Sequence, residues 1–182
     1  AGDYLMESGN GGYVFYDEGF AFVGESHFAT VYDLRDLSDI QVVGTGNLPG
    51  DLDTFTPYGN VGILSVDEDA EDGIATAVMP WTTDPDTAGP QVLRVVPKDG
   101  ATGVAVKSRV GIGFNEMVEP TSAFAGAVRL WDDQGEPVPG WGSAQESIAS
   151  YTPKNPLEPG TTYTVEVLAG GVQDLNGNRV QE

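Results

Sequence analysis

Arg109-Val110-Gly111-Ile112-Gly113-Phe114 alternates between large apolar residues and small or charged ones. Successive side chains of a strand point to opposite faces, so Val110, Ile112 and Phe114 share one side and Arg109, Gly111 and Gly113 the other. One side packs and the other meets solvent. The same period of two sets Val128 and Leu130 against Arg129 and Trp131, and Tyr163, Val165 and Val167 against Thr162, Thr164 and Glu166. Candidate strands at 91–96, 109–114, 127–131, 147–152 and 161–168 are short and separated by turn residues, the pattern of a β-sandwich.

Upstream the runs differ in kind. Residues 13–16 and 20–23 are apolar at nearly every position, which predicts strands covered on both faces. A series at 13–16, 20–24, 28–33 and 40–43 is followed by a looser repetition at 54–58, 61–66 and 74–79. Four-stranded units of this type build propeller blades. No helical period of apolar residues is sustained over a dozen positions in either half, so the chain reads as all-β.

Charge locates the boundary between these parts. The 182 residues hold 28 acids and 8 bases, a formal charge of −20. Residues 1–89 contain 17 acids and one base, Arg35, giving −16, whereas residues 90–182 carry 11 acids and 7 bases, giving −4. The stretch 82–89 is polar, contains Pro85 and Gly89, and is followed by Pro90, so it reads as a linker between a unit at 1–81 and a domain at 90–182. A chain this acidic repels phosphate backbones and anionic lipid heads, which argues against nucleic acid and membrane partners. No run of 18 apolar residues suggests a membrane span. Without an initiator Met or a signal-peptide pattern at its start, the sequence is expected to be a mature or excised piece. Cysteine is absent, which excludes disulfides and thiolate chemistry. Self-repulsion concentrated in the first part predicts that added salt stabilises it more than the second.

Four motifs in the second part resemble the bacterial Ig-like domain of the surface-layer protein type. These are Pro90-Gln91-Val92 leading to Pro97-Lys98-Asp99-Gly100-Ala101-Thr102-Gly103-Val104, then Phe114-Asn115-Glu116-Met117-Val118, then Pro156-Leu157-Glu158-Pro159-Gly160-Thr161-Thr162-Tyr163-Thr164-Val165, and finally Val172-Gln173-Asp174-Leu175-Asn176-Gly177-Asn178. The resemblance implies an immunoglobulin-like β-sandwich, an extracytoplasmic location, and a tyrosine corner at Tyr163 whose hydroxyl returns to upstream backbone. In that family a further strand follows the Asp…Gly-Asn turn. Here the last strand is expected to be missing, leaving an open edge, with the natural protein continuing past Glu182. Residues 11–81 resemble the propeller repeats of bacterial surface proteins of the Leu-Val-Ile-Val-Asp type, through Ala29-Thr30-Val31-Tyr32-Asp33-Leu34-Arg35-Asp36-Leu37-Ser38-Asp39 and the strand after it.

Two clusters offer oxygen ligands for a cation such as Ca²⁺, although none is required. Asp67, Asp69, Glu71 and Asp72 stand close together before Gly73, but not in EF-hand register, and a solvated turn explains them equally. Asp174, Asn176 and Asn178 alternate in the closing motif, which also suits a left-handed turn. His27, the sole histidine, sits at the mouth of a strand, and Ser26 beside it points the other way. Nucleophile elbow, zinc helix, phosphate loop and dinucleotide fingerprint are all absent. Trp131 is expected on the outward side of the Ig-like sheet and Trp141 in a loop rich in Pro and Gly. Such rings either stack on sugar or seal a domain contact. The expected function is therefore non-enzymatic: an adhesion, binding or spacer module of a larger surface or secreted bacterial protein, with protein or carbohydrate as ligand. The alternative is an accessory part of a secreted hydrolase whose active site lies in other propeller blades.

Overall fold

The computed structural model describes residues 11–25, 28–82 and 84–181. They form two compact units, Ala1–Asp86 and Thr87–Glu182, and the division falls inside the predicted linker.

The first unit contains two antiparallel meanders. Strands β1 (Gly11–Asp17), β2 (Phe20–Glu25), β3 (Phe28–Asp33) and β4 (Gln41–Asn47) lie side by side in chain order. Strands β5 (Asp51–Tyr58), β6 (Val61–Glu68) and β7 (Thr76–Pro80) form a second sheet, again in order. Phe22, Ala29 and Val31 from the first sheet share a core with Leu52, Phe55, Leu64 and Val66 from the second. The Phe22 ring stands edge-on to Phe55 at 5.4 Å and to Trp81 at 5.0 Å, and the Trp81 indole N–H donates to the Gly59 carbonyl at 2.7 Å. Gly62 makes this packing possible, because the Phe55 ring occupies the place a β-carbon there would take.

Coverage on both faces is not what the structure shows for the first strand. Tyr13, Val14 and Tyr16 of β1 are 64%, 62% and 40% exposed, while Ala21 and Phe22 of β2 and Ala29, Thr30 and Val31 of β3 are buried. The reason is position. β2 and β3 are interior strands with neighbours on both sides, whereas β1 is an edge strand with its outward side open among the described residues.

Arg35, the lone base of this unit, is tied down locally. The Asp33 carboxylate accepts from the Arg35 backbone N–H at 3.0 Å and from Nε at 2.9 Å, and the guanidinium lies 4.7 Å from the centroid of the Phe20 ring. The side-chain hydrogen bond from Arg35, followed by its backbone N–H, lowers Asp33 to a pKa of about 2. A folded-state value below the unfolded one stabilises above the unfolded pKa and is lost as pH falls through the folded pKa. Acidification from pH 4 to roughly 2 is thus expected to release this clasp, and an Asp33 carboxyl that titrates by NMR near the ordinary value of about 4 would contradict it.

The second unit is a sandwich. Strands β8 (Val92–Val96), β9 (Val110–Phe114), β11 (Gly140–Gln145) and β12 (Ile148–Pro153) form a four-stranded sheet in the order β11-β12-β9-β8, and β10 (Val128–Trp131) pairs with β13 (Thr164–Val167). Val110, Ile112, Phe114, Val128, Leu130, Ala149 and Tyr151 point inward together, as the alternation requires. A single helical turn, Pro120–Ser122, runs into a wider π-type turn, Ala123–Ala127, which carries the chain from β9 to β10. Among the described residues β13 pairs with β10 alone. The tail then folds back, with Val180 N–H donating to the Val172 carbonyl at 2.8 Å and both valines buried.

Strand β11 was not expected from the sequence. Its inward positions are Gly140, Gly142 and Ala144, too small to register as a core face. They are small because a β-carbon on Gly142 would lie 2.5 Å from the Ala123 carbonyl oxygen, and one on Gly140 would lie 2.6 Å from the Tyr151 ring.

Candidate functional site

The acidic stretch before β7 is a surface turn. Asp69, Glu71 and Asp72 are exposed, Glu71–Gly73 form one 3-10 turn, and Asp69 and Asp72 both adopt the left-handed conformation at φ 55°. The Asp67 backbone belongs to β6, and its side chain lies outside the described residues. His27 and Ser26 also lie outside them.

The second cluster does converge, around Asp174, which is 2% exposed. Its Oδ1 accepts from the backbone N–H groups of Asn176 and Asn178, each at 2.8 Å, and its Oδ2 accepts from Asn178 Nδ2 at 2.8 Å. The Asp174 N–H in turn donates to the Asn178 carbonyl at 2.9 Å. The carboxylate therefore serves as the hub of the turn, and a cation here would have to replace N–H donors already in place. A bridge from Asp174 to Val118 ties the turn to the end of the Phe114–Val118 motif.

Near β13, Pro159-Gly160 turns the chain with Gly160 at φ 76°, and Tyr163 follows. Its hydroxyl accepts from the Glu158 backbone N–H at 2.8 Å, so the tyrosine corner is formed. Tyr163→Phe should cost about 1 kcal/mol by removing one hydrogen bond while keeping the ring. A denaturant midpoint for residues 87–182 equal to that of the parent would count against it.

Residues 86–182 match the sequence profile of the bacterial Ig-like domain. The chain belongs to the bacterial Ig-like domain family. No curated protein and no solved structure matches it. Domains of this family are found in extracytoplasmic bacterial proteins, often at the surface.

Within the Ig-like unit, the two tryptophans do not share a surface. Trp131 lies on the outward side of the β10–β13 pair and donates its indole N–H to Glu166 Oε2 at 3.0 Å. Trp141 lies on the outward side of the four-stranded sheet, on strand β11 and not in a loop, and is 56% exposed. Around it the register defines rows across the sheet. Trp141 pairs with Thr152, then Ser143 with Ser150, Gly111 and Val96, then Gln145 with Ile148, Gly113 and Arg94. Arg109, just before β9, is exposed and continues the alternation onto this side. The Arg94 side chain crosses Gly113, since a β-carbon there would meet Arg94 Cγ and Nε at 3.1 Å. Nothing lies closer than 4.0 Å to a β-carbon position on Gly111, so the middle row is a shallow trough. The sequence held pieces of this face, the outward Arg109, Gly111 and Gly113 of the alternating strand and Trp141. It hid the rest, because β11 itself was not apparent.

Proposed function

We propose that the chain is a non-enzymatic binding and spacer segment of a larger surface or secreted bacterial protein, with the Ig-like module carried behind a propeller-blade-like β unit. The observation that supports this most is that each unit closes a hydrophobic core from its own strands: Phe22, Leu52, Phe55 and Leu64 in one, Ile112, Phe114, Val128 and Ala149 in the other. Independent cores suit a chain whose work is to hold and present surfaces at a distance. Two chain-ordered meanders packed face to face on one core are also how neighbouring blades pack.

The experiment is thermal and chemical unfolding of the whole chain beside residues 87–182 alone. Two transitions are expected, one of them matching the isolated Ig-like unit. Raising salt from about 0.1 M to about 1 M shortens the screening length from roughly 10 Å to about 3 Å. That should raise the midpoint of the −16 unit and leave the Ig-like midpoint nearly unmoved. A single transition, or equal salt responses, would refute the modular reading. Release of products from polysaccharide or peptide substrates by the purified chain would favour a hydrolase.

A further inference from the structure

We infer that the outward face of the β11-β12-β9-β8 sheet binds a carboxylate-bearing oligosaccharide across the Gly111 trough, between Trp141 and the arginines Arg94 and Arg109. The inference rests on the binding part of the function proposed above. The unfolding experiment there needs no ligand, so the two can fail separately.

Charge is the first argument. The chain carries −20, yet the outward positions of this sheet are Trp141, Ser143, Gln145, Ile148, Ser150, Thr152, Gly111, Gly113, Arg94 and Val96, with Arg109 beside them and no carboxylate in any row. Among the described residues neither Arg94 nor Arg109 forms an ion pair, the one formed there being Asp33–Arg35. Two guanidinium groups beside rows that hold no carboxylate favour an anion, and the planar fork matches a carboxylate through two parallel hydrogen bonds.

The remaining side chains select a sugar. An exposed indole offers a flat apolar surface for a pyranose ring, and Ser143, Ser150, Thr152 and Gln145 present short donors and acceptors to hydroxyl groups. A peptide is less well served. The central strands β9 and β12 have neighbours on both sides, so a peptide laid over the face finds no unpaired backbone ladder to extend. The glycine floor admits a ligand close to the sheet. Three strand spacings of about 4.8 Å put the edge strands of Trp141 and Arg94 roughly 14 Å apart, which suits several linked sugars better than one.

The test uses the whole chain with tetragalacturonate, followed by tryptophan fluorescence and calorimetry, beside neutral cellotetraose and an oligoglutamate peptide. Tetragalacturonate should bind, and should bind at least tenfold more weakly as salt rises from about 0.1 M to about 1 M. Trp141→Ala and the pair Arg94→Gln with Arg109→Gln should each weaken binding tenfold or more. All three positions are exposed, and unchanged unfolding midpoints would confirm that the variants remain folded. The inference is overturned if tetragalacturonate does not bind, if cellotetraose binds as tightly, or if the variants bind normally. Oligoglutamate binding that is equally lost in the variants would assign the face to an acidic protein. Concentration-dependent association abolished by the arginine changes would assign it to the acidic unit of a second copy. Either result overturns the sugar.

Discussion

Phe22→Ala is expected to bring the N-terminal unit to the edge of unfolding while the Ig-like unit stays folded. Phe22 is fully buried and its ring contacts two other rings, Phe55 and Trp81, both edge-on. Removing a buried phenylalanine costs about 3–5 kcal/mol through lost transfer energy and the cavity left behind. Edge-to-face pairs add about 0.5–1.5 kcal/mol beyond burial. Relaxation into the cavity is limited, because Phe55 already fills the space above Gly62 and has little room to move. Against a total of about 5–15 kcal/mol for a domain, this is a large fraction. Urea unfolding should show the first transition shifted far down or lost, with the second unchanged. Phe22→Leu, which refills part of the volume, should recover about half the loss. Equal displacement of both transitions by Phe22→Ala would mean that the units do not unfold independently.

The converse is expected of Asp174→Ala, which should destabilise only the Ig-like unit, by roughly 2–4 kcal/mol. The carboxylate is buried and receives three N–H donors from Asn176 and Asn178. Hydrogen bonds to a charged group contribute more than neutral ones, and their loss leaves backbone donors without an acceptor. The turn also holds the tail that buries Val180 against Val172, so hydrogen exchange should rise there first. Asp174→Asn keeps the shape and one acceptor oxygen, and should fall between the two. A full-strength Ig-like transition in Asp174→Ala would show that the turn is held by its backbone alone.

Much of the fold was legible because period-two patterns report burial directly. The alternation at 109–114 is the observed inward and outward division of β9, and the meander at 11–47 follows from short apolar runs broken by turn residues. Tyr163 and Asp174 were legible through the family motifs, since a tyrosine after a Pro-Gly turn and an Asp-x-Asn-Gly-Asn loop each carry their own local hydrogen bonds. Strand β11 was not legible. Its glycines suit a close approach by residues 123 and 151, which are distant in the chain, and that information is not written in the strand itself. The Ala123–Ala127 turn was missed for a similar reason, being too short to show a period.

The face that carries the binding inference divides in the same way. From the sequence come an acidic first unit, a more nearly neutral second one, two glycines on an alternating strand and a tryptophan among prolines and glycines. Those are local properties of composition and spacing. That Trp141 and Arg94 stand on opposite edges of one sheet, with Gly111 in the row between them and Trp131 on the other sheet, depends on strand order and register. Strand order is set by which apolar faces bury each other, a choice made between segments dozens of residues apart, and only the tertiary structure records its outcome.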